Sequence, residues 1–92
     1  MKTVEIIVSG RVQGVGFRAC VKRIAINLGV CGEVMNLQDG RVRILATAEP
    51  VMLEKFISML YSCSRVIIRE IQTIERERMD FKGFSIVRGN IQ

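Results

Sequence analysis

Val4, Ile6 and Val8 fall on alternate positions of a β-branched run, which predicts an opening strand from Val4 to about Ser9. From about Arg18 the period changes. Val21, Ile24, Ala25 and Leu28 recur at helical spacing, and Gly29 is placed to end that helix. Two β-leaning runs, "VCGEVMN" and "RVRILAT", then flank "LQDG", whose Asp39-Gly40 pair tolerates positive φ and signals an antiparallel hairpin. Pro50 stands at a first-turn position ahead of the stripe Met52 or Leu53, Phe56, Ile57 and Leu60, so a second helix is expected from about Pro50 to Ser62. "RVIIREIQTIERE" admits two periods: Ile67, Ile71 and Ile74 fit a helix face, whereas the β-branched content and a phase change after Ile68 fit a bulged strand. The strand is the preferred reading. A turn at Lys82-Gly83 and a short strand from Phe84 to Arg88 close the pattern. The order is βαββαβ with one extra C-terminal strand. That is an α+β arrangement, a mostly antiparallel sheet with two helices on one face.

Composition fits one such unit. The 92 residues are 49% hydrophobic with a single proline, no repeat and no linker, so residues 1–92 are expected to form a single domain with a real core. The opening "MKTVEIIV" is too short an apolar run for a signal peptide, and no later run approaches the roughly 20 apolar residues of a membrane span. The expected location is therefore cytoplasmic, with no membrane partner. Cys20, Cys31 and Cys63 are odd in number and widely spaced, and there is no histidine, so an ordinary structural zinc site is excluded. They are read as small buried thiols in a reducing compartment. Met52 and Met59 are read as core filler. The net charge of +5 favours anionic partners, either a small phosphorylated substrate or a nucleic acid, without choosing between them.

The candidate chemistry lies in "IVSGRVQGVGFRAC", Ile7 to Cys20, where two glycines and an arginine join the first strand to the first helix. Such a loop aims backbone N–H groups at one spot, and the helix dipole adds partial positive charge there. Gly14 and Gly16 let the backbone form a concave nest, and Arg18 adds a planar fork matched to two phosphate oxygens. Together they read as a cradle for one phosphoryl group.

Three other readings compete. Gly14, Gly16 and Ala19 match the dinucleotide fingerprint G-x-G-x-x-A, with Glu33 near the distance of a ribose-binding acid. That fingerprint needs its first glycine right after the strand of a parallel sheet, but Gly10 to Gln13 intervene and a hairpin follows. "CSRVIIR", Cys63 to Arg69, has the C-x5-R spacing of a cysteine phosphatase but no glycine to shape a loop. The plainest alternative is a simple turn at Gly14 and Gly16 with Arg18 as a surface cation.

"SGRVQGVGFR" resembles the signature of the acylphosphatases, small enzymes that cleave the mixed anhydride of a carboxylate and phosphate. "LGVCGEVMNLQDGRV", Leu28 to Val42, resembles that family's second signature, and "FKGFSIV" its C-terminal pattern. Glu33 and Met35 stand where an aromatic and an arginine are common. The resemblance implies a ferredoxin-like α/β sandwich. It also implies Arg18 and Asn36 as catalytic residues, with Gln13, Gly14, Val15, Gly16, Phe17 and Arg18 binding the phosphoryl group. The implied reaction is hydrolysis of a small-molecule acyl phosphate to a carboxylate and inorganic phosphate, with no metal and no cofactor.

A carboxylate leaves without being protonated, so the absence of histidine is no obstacle. The reaction instead needs neutralised phosphoryl oxygens and a water held in line with the breaking bond. A nucleic-acid-binding module is the alternative class, since RNA-recognition domains share this fold; they stack bases on central-strand aromatics, which "TVEIIVS" and "RVRILAT" lack. A non-catalytic acyl-phosphate-binding domain, as in hydrogenase maturation proteins, is a further possibility. Those domains are fused to others, and a chain ending at Gln92 favours the free hydrolase. A monomer is the default expectation.

Overall fold

A computed structural model describes residues 1–88, leaving the last four positions of the expected single domain, 89–92, outside the described residues. The first strand, β1 (Lys2–Arg11), is longer than its alternation alone predicts. It is central to the sheet, pairing antiparallel with β3 (Val42–Ala48) on one side and β4 (Ile67–Arg76) on the other, and both ladders hold its ends extended. The helix α1 (Phe17–Leu28) follows, then β2 (Cys31–Asn36), which forms the expected hairpin with β3. After β3 comes α2 (Pro50–Leu60), with its proline in the first turn. It stops short of Ser62, whose Oγ donates to the Met59 carbonyl at 2.6 Å and so competes with a further helical turn. The last strand, β5 (Phe84–Val87), lies parallel to β2, giving the order β4-β1-β3-β2-β5.

The ambiguous isoleucine-rich segment is a strand with a bulge. Ser9 pairs with Glu70 but Gly10 with Ile68, so Arg69 is the extra residue, directly after the position where the hydrophobic phase changes.

Pleating sends Val4, Ile6 and Val8 of β1, Val34 of β2, and Val42, Ile44 and Ala46 of β3 to one face. There they form one core with Val21, Ile24 and Ala25 of α1 and with Leu53, Phe56 and Leu60 of α2. Phe56 and Phe84 meet at 6.2 Å between ring centroids with tilted planes, tying α2 to β5. On the opposite face the β4–β5 connection crosses the sheet. The Met79 N–H donates to Thr3 Oγ1 at 2.9 Å, Thr3 and Thr47 share a 2.6 Å hydroxyl contact, and Thr47 donates back to the Met79 carbonyl at 2.9 Å.

The reading of three thiols is corrected. Cys20 of α1 and Cys63, just after α2, form a disulfide across 43 positions with Cα atoms 6.1 Å apart, and only Cys31 is free. An odd count says nothing about which two cysteines the fold brings together, and here it is the packing of the two helices side by side that does so.

Glu5, on the open face of β1, is the one buried carboxylate among the described residues, with an 11% exposed side chain. Burial opposes its ionisation. Hydrogen bonds and charge from Arg76 and Arg43 outweigh that and hold its carboxyl below the usual range. Its folded-state pKa being depressed, the stabilisation is full above the ordinary value of 4.5 and is lost as pH falls through the lower folded value. Glu5→Gln should therefore unfold more readily than wild type at neutral pH, by on the order of 1–3 kcal/mol. The gap should narrow in acid, as read by urea unfolding at several pH values. An unchanged gap down to strongly acidic pH would remove Glu5 from the linkage. The Cys20→Ser/Cys63→Ser double variant should lose about 2–4 kcal/mol, and reduced wild type should match it.

Candidate active site

Val12 and Phe17, both buried in the core, fix the two ends of the loop that leads from β1 into α1. Between them Gly14 has φ +73° and Gly16 has φ +78°, left-handed values that a side chain would strain. Gly16 is the residue that caps α1, and no side chain caps the helix start. The first helical hydrogen bond runs from the Cys20 N–H to the Gly16 carbonyl at 3.1 Å. The N–H groups of Phe17, Arg18 and Ala19 therefore lie outside the helical ladder and point, with the positive end of the dipole, out of the helix. Half-buried Arg18 brings its guanidinium to the same end.

Asn36 reaches this end from the sheet. It is the last residue of β2 and pairs with Val42, two positions after the buried Val34–Ile44 pair, so it shares the helix-facing side. Its Oδ1 is buried and accepts no hydrogen bond from the described protein groups. A buried acceptor without a partner is costly and points to a bound water or ligand.

A cavity of about 180 Å³ joins the two parts. It is lined by Gly14, Gly16, Phe17, Arg18, Asn36 and Arg88, among others, so most of the sequence-predicted residues come together. The side chains of Gln13 and Val15 do not line it. Val15 packs against the core, and Gln13 turns toward the hairpin, where its Nε2 donates to the carbonyls of Leu37 at 2.8 Å and Arg41 at 2.9 Å. Gln13 thus ties the loop to the turn that follows Asn36. Arg88 is the residue that the sequence reading missed. It reaches the cavity only because β5 runs beside β2, and no local spacing announces that neighbour.

The rival motifs lose their partners in three dimensions. Glu33 alternates with Val34 and faces the open side of the sheet, away from the glycine loop. Cys63 is held in the disulfide and Arg69 sits in the β4 bulge, so no thiolate loop forms. Among the described residues no group of histidine, cysteine, aspartate or glutamate could hold a metal ion, and no helix is long and apolar enough to cross a membrane.

A family model described as Acylphosphatase matches residues 4–86. An acylphosphatase of Archaeoglobus fulgidus is 41% identical over 87 residues, covering 94% of this chain and 98% of that protein. The crystal structure of acylphosphatase from Bacillus subtilis superposes with a TM-score of 0.91 at 37% identity, over 96% of this chain and all of that one. The crystal structure of full-length HypF in the phosphate- and nucleotide-bound form superposes with a TM-score of 0.88 at 36% identity, over 95% of this chain but 12% of that one.

Since two hydrogen bonds from one side chain link the loop to the hairpin, Gln13→Ala should cost about 1–2 kcal/mol of stability. Its largest rise in amide hydrogen exchange should fall at residues 12–16 and 37–41. Uniform change across the chain would show that Gln13 does not join these two segments.

Proposed function

The chain belongs to the acylphosphatase family and hydrolyses acyl phosphates, and from that premise we propose how its own residues divide the reaction. Arg18 and the N–H groups from Gln13 to Arg18 neutralise the equatorial phosphoryl oxygens. Asn36 holds the attacking water through its amide. The observation that carries this division is the buried Asn36 Oδ1 without a protein partner, in a cavity shared with Arg18 and with Gly14 and Gly16 of the loop.

The water oxygen forms a bond to phosphorus as the bond from phosphorus to the acyl oxygen breaks, and the carboxylate departs with the electron pair. One water proton passes to a phosphoryl oxygen, because Asn36 is a poor base. The charge to be stabilised sits on the phosphoryl oxygens, where fixed donors act without rearranging. A guanidinium and a helix N-terminus supply positive charge, so we propose a metal-independent and cofactor-free reaction.

We further propose a monomeric cytoplasmic enzyme of one domain, acting on a small molecule rather than a nucleic acid. The central strands β1 and β3 carry no aromatic on which a base could stack. The disulfide pulls against the location, since reducing pools keep cytosolic thiols unpaired.

Benzoyl phosphate turnover in the presence of EDTA tests the division of roles. Arg18→Ala should lower kcat by at least roughly 10²- to 10³-fold. Arg18→Lys should not restore it, since a point charge cannot replace the fork. Asn36→Ala should abolish turnover while inorganic phosphate still binds. Near-normal turnover in Asn36→Ala would remove its water-holding role, and loss of wild-type turnover in EDTA would overturn the metal-independent reading.

A further inference from the structure

Arg88 lines the same cavity as Arg18 and Asn36, yet the chemistry proposed above gives it no task. Its position follows from the sheet. β5 pairs in parallel with β2 from Gly32–Phe84 to Met35–Val87, so the next step sets Arg88 beside Asn36, on a strand about 4.8 Å away. The pleat turns it, like Ile86 two positions earlier, to the helix-facing side, and both line the cavity. A buried amide oxygen and an exposed guanidinium thus rise from neighbouring strands into one space.

A water that attacks phosphorus has two protons and two lone pairs to place. One lone pair is aimed at phosphorus. One proton passes to a phosphoryl oxygen, and the other is donated to Asn36 Oδ1, the buried acceptor that no described protein group satisfies. The second lone pair is left over, and without a donor the water can swing about its bond to Oδ1. Asn36 cannot also be that donor, because one water cannot straighten both bonds to a single amide. Arg18 and the loop N–H groups are taken up by the phosphoryl oxygens. Among the described residues the polar side chains of the cavity are Arg18, Asn36 and Arg88, so the donor that remains is Arg88.

We propose that Arg88 holds the attacking water together with Asn36. The guanidinium donates to the lone pair that does not face phosphorus, Asn36 Oδ1 accepts one proton, and the two bonds fix the water in line with the breaking bond. The loose transition state of phosphoryl transfer asks the water for position more than for nucleophilic strength, so a donor on its spare lone pair costs little. This inference rests on the water site proposed for Asn36.

Single-turnover hydrolysis of benzoyl phosphate, with enzyme in excess and EDTA present, reads the chemical step, and inhibition by inorganic phosphate reads the cradle. Arg88→Met removes the donor and should slow the chemical step roughly tenfold, the effect of one hydrogen bond at a partly solvated position. Phosphate inhibition should stay within about twofold of wild type, since an exposed charge is well screened. Added guanidinium should restore part of the rate to Arg88→Ala, whereas tetramethylammonium, which brings charge without an N–H, should not. An unchanged single-turnover rate in Arg88→Met would overturn the proposal. So would equal losses of rate and phosphate inhibition, which would put Arg88 on the phosphoryl group, or rescue of Arg88→Ala by both cations alike or by neither. The Asn36 water site fails separately, if Asn36→Ala hydrolyses benzoyl phosphate at a near-normal rate.

Discussion

In β2, the alternation that buries Val34 against Ile44 also turns Asn36 toward the N-terminal end of α1. The site depends on that pleat. A one-residue slip between β2 and β3 would expose Val34 and carry Asn36 to the open face, away from Arg18. The apolar pattern of the core and the polar geometry of the site are therefore set by the same ladder, and Gln13 reinforces it at the turn by bonding the carbonyls of Leu37 and Arg41. The glycine loop brings charge to one side of the cavity, and the sheet brings a fixed amide to the other.

Each polar group near the cavity is held by means suited to its task. The donors at the loop end of the cavity are backbone N–H groups and the side chain of Arg18. The carboxylate that does need protection, Glu5, is on the other face of the sheet between Arg43 and Arg76. The buried ion-pair cluster of the sheet and the arginine of the cavity are thus kept on opposite faces of the sheet.

Local pattern was legible wherever one element decides its own shape. Asp39-Gly40 marked the hairpin, the change of period marked α1, and the phase change after Ile68 marked the bulge at Arg69, since each leaves its trace in consecutive residues. Motif resemblance then pointed to Arg18 and Asn36. What escaped was long-range. The Cys20–Cys63 bridge depends on how two helices pack, and Arg88 enters the cavity only through the parallel pairing of β5 with β2. Gln13 was legible as part of the loop, but the two carbonyls its side chain would bind belong to a hairpin 24 and 28 positions away.

The central place of β1 has a kinetic consequence. Its two neighbours are β3, complete at Ala48, and β4, whose Arg76 partners Thr3, so one edge of this strand can pair about halfway along the chain while the other waits for most of it. The α1 helix and the β2–β3 hairpin can form from local contacts, but the step that joins them closes long loops and carries their entropy. During synthesis the β4-side edge of β1 stays unpaired through that interval. A nascent chain of this topology is therefore most exposed to chaperones and to aggregation before β4 emerges.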